Sequence, residues 1–253
     1  MSHLPISVVI ITFNEEKNIR RCLESVQGWV DEIIVLDSFS SDQTEAICGE
    51  FGVQFFQHPF EGHIEQKNEA IKYANQPWVL SLDADEAVSP ELKKSITSIH
   101  FQTENSAYNF NRLTNFCGSW IRHCGWYPDR KIRLLKKGDG HWGGQNPHDS
   151  LIINKGVELK HLKGDLLHYS FYTVNEHFKQ IHFFTDISSK AAFEEGTKSS
   201  ITKLFGKPSI KFIRDYIFLG GFRDGYYGLI ICLNSAFAKY LKYLKILELQ
   251  RKK

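Results

Sequence analysis

The sequence lacks the marks of several common protein classes. Its five cysteines, Cys22, Cys48, Cys117, Cys124 and Cys232, are odd in number and include no Cys-x-x-Cys pair. This argues against a disulfide framework and a structural zinc site, and fits a reducing compartment. No basic segment precedes the apolar stretch Ile6–Phe13, which runs straight into Asn14, Glu15 and Glu16, so the layout of a signal peptide is missing. In the C-terminal part the longest uncharged run, Gly225–Ala238, has 14 residues, short of the roughly 20 that cross a bilayer. No internal repeat is present. With 42% apolar and 24% charged residues, collagenous, low-complexity and wholly disordered readings are excluded. The 253 residues suffice for one main core with an appendage.

Charge is unevenly spread. Residues 201–253 carry eleven Lys or Arg against three Asp or Glu, leaving the first 200 residues at −6 within an overall +2. In this basic stretch cations interleave with aromatics such as Phe212, Tyr216, Phe218, Tyr226 and Tyr240. That mixture suits an anionic membrane surface, and equally an amphipathic helical pair lying over the core. The expected division is therefore 1–200 as the main domain, with 1–105 and 106–200 as its two parts, and 201–253 as a helical C-terminal region.

The first half alternates strand and helix. Ile6–Ile11 is a β-branched run suited to a strand buried on both faces. Asn14 is expected to cap a helix carrying Ile19, Cys22, Leu23 and Val26 at helical spacing. Strands follow at Glu32–Leu36, Val53–Gln57 and Trp78–Leu82, with helices at Gln43–Phe51 and Ile64–Ala74 between them. Ser89-Pro90-Glu91 starts another helix. Later segments predict strands at Tyr108–Phe116 and Ile132–Lys136, a helix over Thr173–Glu195, and a linker to about Pro208. Repeated β-α units of this length imply a parallel sheet with helices on both faces and ligands at the carboxyl ends of the strands. Thr12, Asn14, Asp37, Asp83 and Asp85 all fall at such ends.

Asp83-Ala84-Asp85 after an apolar strand is the most informative tripeptide. Two carboxylates one residue apart can hold a hard divalent cation that takes further oxygens from a diphosphate. Arg130 and Arg133 have the planar fork that binds phosphate or an anionic acceptor, or they form surface ion pairs.

Four segments in register resemble the family 2 glycosyltransferases: Val8–Glu16, Ile34–Ser38 with Ser41–Thr44, Gln66-Lys67-Asn68, and Leu82–Glu86. The resemblance implies the A-type glycosyltransferase fold and inverting transfer from a nucleotide sugar, UDP-glucose being expected, with Mg2+ or Mn2+. It implies that Thr12, Asn14 and Glu15 line the nucleoside pocket and that Asp37 meets the base. Lys67 would lie near the donor, Asp83 would reach ribose or metal, Ala84 would line the donor site, and Asp85 would bind the metal. A late histidine, His168, would be a further metal ligand or a hydrogen-bonded core residue.

The stretch Trp142–Asp149 is similar to a subgroup, the lipopolysaccharide core β-glucosyltransferases, in which a Trp-x-Gly segment leads to a His and then an acid. This marks Asp149 as general base, with Trp142 and His148 on the acceptor side. The implied acceptor is a lipid-linked oligosaccharide, a lipopolysaccharide or lipooligosaccharide core. The implied location is cytoplasmic, at the inner face of the cell membrane. Nucleic acid is not an expected partner, and oligomeric state is left open. Rivals are a transferase acting on a peptide or protein, a nucleotidyltransferase, and a silent sugar-binding scaffold. A nucleotidyltransferase more naturally has a glycine-rich basic loop after its first strand, where Thr12–Glu16 has neither glycine nor cation.

Overall fold

A computed structural model describes residues 3–145 and 148–252. They form two compact units. The first runs up to Arg112 and resumes over Asp129–Tyr169; the second comprises Leu113–Pro128 and the chain from Ser170 onward.

The first unit opens with β1 (Leu4–Thr12), α1 (Ile19–Val26), β2 (Val30–Asp37), α2 (Thr44–Glu50) and β3 (Gln54–Gln57). It continues with α3 (His63–Tyr73), β4 (Trp78–Asp83), β5 (Glu86–Val88) and α4 (Pro90–Thr97). Strands β3, β2, β1 and β4 lie side by side and parallel. Alternation along β1 splits its side chains between two cores. Ile6, Val8 and Ile10 pack with Ile19, Leu23 and Leu92, while Val9 packs with Ala70 and Ala74. Helices thus cover both faces, as the unbroken apolar strands predict.

The sheet then turns mixed. β6 (Ser106–Phe116) carries the short β7 (Ser119–Trp120) at its end. Beyond it come β8 (Asp129–Lys136), β9 (Gly140–Gln145), β10 (His148–Ile153) and β11 (Glu158–Phe171). β8 is antiparallel to β4 and β6, and β11 joins β6 to β5, giving the order β3-β2-β1-β4-β8-β6-β11-β5. β9 and β10 make a separate antiparallel pair.

The second unit holds α5 (Val174–Glu194), α6 (Ile201–Ile213), a π-helical turn (Arg214–Phe218), a 3-10 turn (Gly221–Asp224) and α7 (Gly225–Arg251). Its core gathers Phe116, Ile121, Cys124, Phe171, Ile231 and Cys232. A full capping box starts α5, in which the Thr173 hydroxyl accepts from the Glu176 N–H while the Glu176 carboxylate accepts from the Thr173 N–H. No helix among the described residues is long and apolar enough to cross a membrane.

Two sequence expectations are corrected. Asn14 does not cap α1, which begins at Ile19 with Asn18 before it. Asn14 sits instead in the left-handed region at φ 54°, and its Oδ1 accepts from the Ser41 N–H at 2.8 Å, so it ties two loops together. Nor does a linker extend to Pro208. α6 already starts at Ile201, where the Ser200 hydroxyl accepts from the Lys203 N–H, and Pro208 lies inside the helix.

Candidate active site

The loops after β1 and β2 are laced together by their own polar side chains. Asn14 N–H donates to the Ser40 hydroxyl and Glu15 N–H to the Thr44 hydroxyl. Both Asp37 carboxylate oxygens are taken by Ser40, through its N–H and its hydroxyl. Among the described residues the buried Thr12 hydroxyl has no partner. The sequence places Glu15 beside this lacing, and burial pushes its carboxyl up to about 7, with the charges of Asp85, Asp42 and Asp83 adding to the rise against the Asn18 hydrogen bond.

The segment Gln66-Lys67-Asn68 does three jobs on one turn of α3. Gln66 donates to the Ser38 hydroxyl at 3.1 Å, fixing the loop after β2. Asn68 clamps the Trp142 backbone from both sides, donating to its carbonyl at 2.8 Å and accepting from its N–H at 2.9 Å. Lys67, between them, is buried and reaches the acids. Its ammonium lies 2.9 Å from Asp83 and 2.8 Å from Asp149, and 4.3 Å from the centre of the Trp142 ring.

Asp83 meets a second cation. Arg133, on β8, places Nη2 2.9 Å from Asp83 and 2.8 Å from Glu86. Burial alone would raise the Asp83 carboxyl, but Lys67 and Arg133 outweigh it and hold it well below the usual carboxylate range. Glu86 also accepts from the Asp83 N–H at 3.0 Å, which fixes the turn containing Ala84. Arg112 lies 3.7 Å from Glu86 and pairs with Asp129 at 2.8 Å.

His168 is brought to Asp85 by strand pairing. In the β5–β11 ladder His168 stands opposite Glu86, and the Tyr169 N–H donates to the Asp85 carbonyl. The imidazole Nε2 lies 3.1 Å from an Asp85 oxygen. Burial raises the Asp85 carboxyl, and the charge and hydrogen bond of His168 reverse this, leaving it lowered. A carboxylate oxygen and an imidazole nitrogen this close are donors that would hold a divalent cation only with ligands from elsewhere. Among the described residues no group of three His, Cys, Asp or Glu side chains could hold a metal by itself.

A cavity of about 440 Å³ opens beside this cluster, walled in part by Lys67, Asp83, Arg130, Arg133, Trp142 and Asp149. Of the residues singled out from sequence, Lys67, Asp83, Arg133, Trp142 and Asp149 converge here, and Asp85 with His168 forms a pair of its own. Arg130 is exposed, whereas Arg133 is buried and bound to carboxylates. His148 opens β10 by its backbone, and its side chain lies outside the described residues. Glu86 and Arg112 were not anticipated. The available signal was Glu86 itself, a carboxylate beside Ala87 and Val88 that needs a buried cation.

The chain matches the family model described as glycosyl transferase family 2 over residues 7–155. It is 30% identical to an uncharacterised glycosyltransferase of Rickettsia typhi, covering 98% of this chain and 88% of that one. The lipopolysaccharide core biosynthesis glycosyltransferase LpsC of Rhizobium meliloti is 27% identical, with 97% and 93% covered. Among solved structures, S. aureus TarS 1-349 in complex with UDP aligns over 98% of this chain and 92% of its own, at 14% identity and a TM-score of 0.48. The protein belongs to the family 2 glycosyltransferases and has the A-type glycosyltransferase fold.

Proposed function

We propose that this enzyme transfers a hexose, glucose, from UDP-glucose to a lipopolysaccharide or lipooligosaccharide core acceptor, with inversion at the anomeric carbon. The observation that carries the reading is the meeting of Asp149, Lys67 and Asp83 on one cavity wall. Inversion in one step needs a base facing the acceptor and separate neutralisation of the leaving diphosphate. The Asp149 carboxylate takes the proton of the acceptor hydroxyl as that oxygen bonds to the anomeric carbon. The bond from the same carbon to the diphosphate oxygen breaks, and UDP departs with the electron pair. Lys67 meets the charge gathering on the diphosphate, while Thr12, Asn14, Glu15 and Asp37 form the nucleoside side.

Asp85 and His168 would hold Mg2+ or Mn2+, which when bound supplies charge neutralisation for the departing diphosphate. The imidazole donor suits Mn2+ better than the harder Mg2+. The acceptor assignment draws on the likeness to LpsC. Residues 201–253 would rest on the inner face of the cell membrane from the cytoplasmic side, where a lipid-linked acceptor is presented. Exposed Phe205, Ile210 and Phe218, interspersed with Lys203, Lys207 and Lys211, support that contact.

The test combines binding and turnover. A panel of nucleotide sugars is screened by thermal shift with and without Mn2+, since a ligand of the native state raises the melting temperature. UDP-glucose is expected to stabilise the protein only with the metal. Asp149→Asn should keep that stabilisation while transfer falls by about 10²-fold or more; normal turnover in this variant removes Asp149 from the base role.

A further inference from the structure

We infer that the cavity beside Asp149 contains an oxyanion subsite for the acceptor, formed by Arg130 and Arg133 with the Trp142 indole, so that the acceptor carries a phosphate or carboxylate near the hydroxyl it offers. This rests on the glycosyl-transfer reading above and narrows its substrate class.

The location comes first. The cavity wall includes Asp149, the proposed base, and Asp83, but among the described residues it does not include Thr12, Asp37, Asp85 or His168. The space of about 440 Å³ therefore borders Lys67 and Asp83 of the donor side and Asp149, and none of the other residues assigned to nucleoside and cation. A group seated here approaches the anomeric carbon from the base, which is the acceptor's direction.

The chemistry of the wall comes second. Arg133 commits Nη2 to Asp83 and Glu86, yet its Nε and Nη1 are buried with no acceptor among the described residues. The buried Trp142 Nε1 is equally unpartnered. Buried N–H groups without partners are rare in folded proteins and signal a missing acceptor. Arg130 adds an exposed guanidinium on the same wall, with no ion-pair partner among the described residues. Arg112 and Lys131, also on the wall, both pair with Asp129, and Arg112 lies 3.7 Å from Glu86 as well. The wall's Asp83 Oδ1 is met by the Lys67 ammonium at 2.9 Å, so the groups left unmet are N–H donors; two of the three side chains that carry them are cationic, and guanidinium forks match phosphate and carboxylate oxygens. A neutral sugar offers hydroxyls that must donate as well as accept, and it leaves this charge unanswered. An oxyanion satisfies both the geometry and the sign.

The same oxygens could come from the donor's diphosphate, and competition separates the two sources. Inorganic phosphate is titrated into the full chain loaded with UDP and Mn2+, followed by calorimetry. Phosphate is expected to bind the loaded protein, and Arg130→Gln should weaken phosphate about tenfold, the scale of one charge-assisted contact, while UDP affinity stays within about twofold. Arg130 is exposed, so the variant keeps the fold. Displacement of phosphate by UDP assigns the subsite to the donor and overturns the inference, as does an unchanged phosphate affinity in Arg130→Gln or a loaded protein that takes up no phosphate. Failure of UDP to bind while phosphate still binds through Arg130 sinks the donor reading and leaves the subsite standing.

Discussion

Glu86 sets the charge balance at the carboxyl end of β4. It is buried and holds Arg133, which in turn holds Asp83, so a single carboxylate keeps two further charges in place. Removing one member of a buried pair leaves an uncompensated charge, which typically costs about 3–5 kcal/mol. Glu86→Gln is therefore expected to lower unfolding free energy by about 3 kcal/mol, read from the midpoint of a urea transition. Glu15 makes stability depend on pH. Its carboxyl moves from 4.5 up to about 7 on folding, so between those values the folded chain keeps a proton that the unfolded chain releases. Stability contributed at this position falls as pH rises from about 4.5 to 7 and levels off above. Against Glu15→Gln, the wild type should lose ground across that window in urea melts; parallel curves would show that Glu15 is not buried as described.

At the scale of elements, what was readable from sequence was local. β1 to β4 and α1 to α4 follow from runs of apolar residues, caps and spacing, each within a dozen residues of chain, and their order matches the structure, while the short β5 is not readable that way. The tripeptide Asp83-Ala84-Asp85 was visible because strand ends collect function in parallel sheets. What sequence could not convey was pairing between distant strands. Glu86 meets Arg112 and Arg133 only because β4 lies against β8 and β8 against β6. The start of α1 was misplaced because Asn14 makes its hydrogen bonds with the loop after β2, a partner no local rule names. Pro208 read as a breaker, yet α6 runs through it. One glycine exposes how tightly the later strands are fitted. Gly164 in β11 adopts φ +97°, and an added Cβ would lie 2.3 Å from the Leu92 nitrogen at the start of α4. Gly164→Ala should cost about 3 kcal/mol through overpacking and left-handed strain. Because β11 carries His168, metal-dependent UDP binding should weaken in the same variant; an unchanged melting temperature would contradict the close approach.

Over the whole molecule, charge and apolar exposure are concentrated in the same terminal stretch. Phe218 is 78% exposed and Ile210 65%, beside Lys211 and Arg214. Isolated exposed apolar residues are ordinary, but this density among cations is what an anionic lipid surface attracts. Replacing Phe205, Ile210 and Phe218 together with Asp is expected to abolish sedimentation with vesicles containing phosphatidylglycerol. Wild-type binding should also fall as salt is raised, since the electrostatic part is screened. Equal sedimentation with purely zwitterionic vesicles would remove the role given to the lysines.

The ladder between β5 and β11 also joins parts of the chain that are made far apart in time. Asp85 emerges from the ribosome long before His168, and only the return of β11 along β5 sets the imidazole against it. The four parallel strands all lie before Glu158 in the chain, whereas the pair needs β11. On the proposed reading the cation site is thus completed by the last-made strand of its unit, whereas Lys67 is made much earlier.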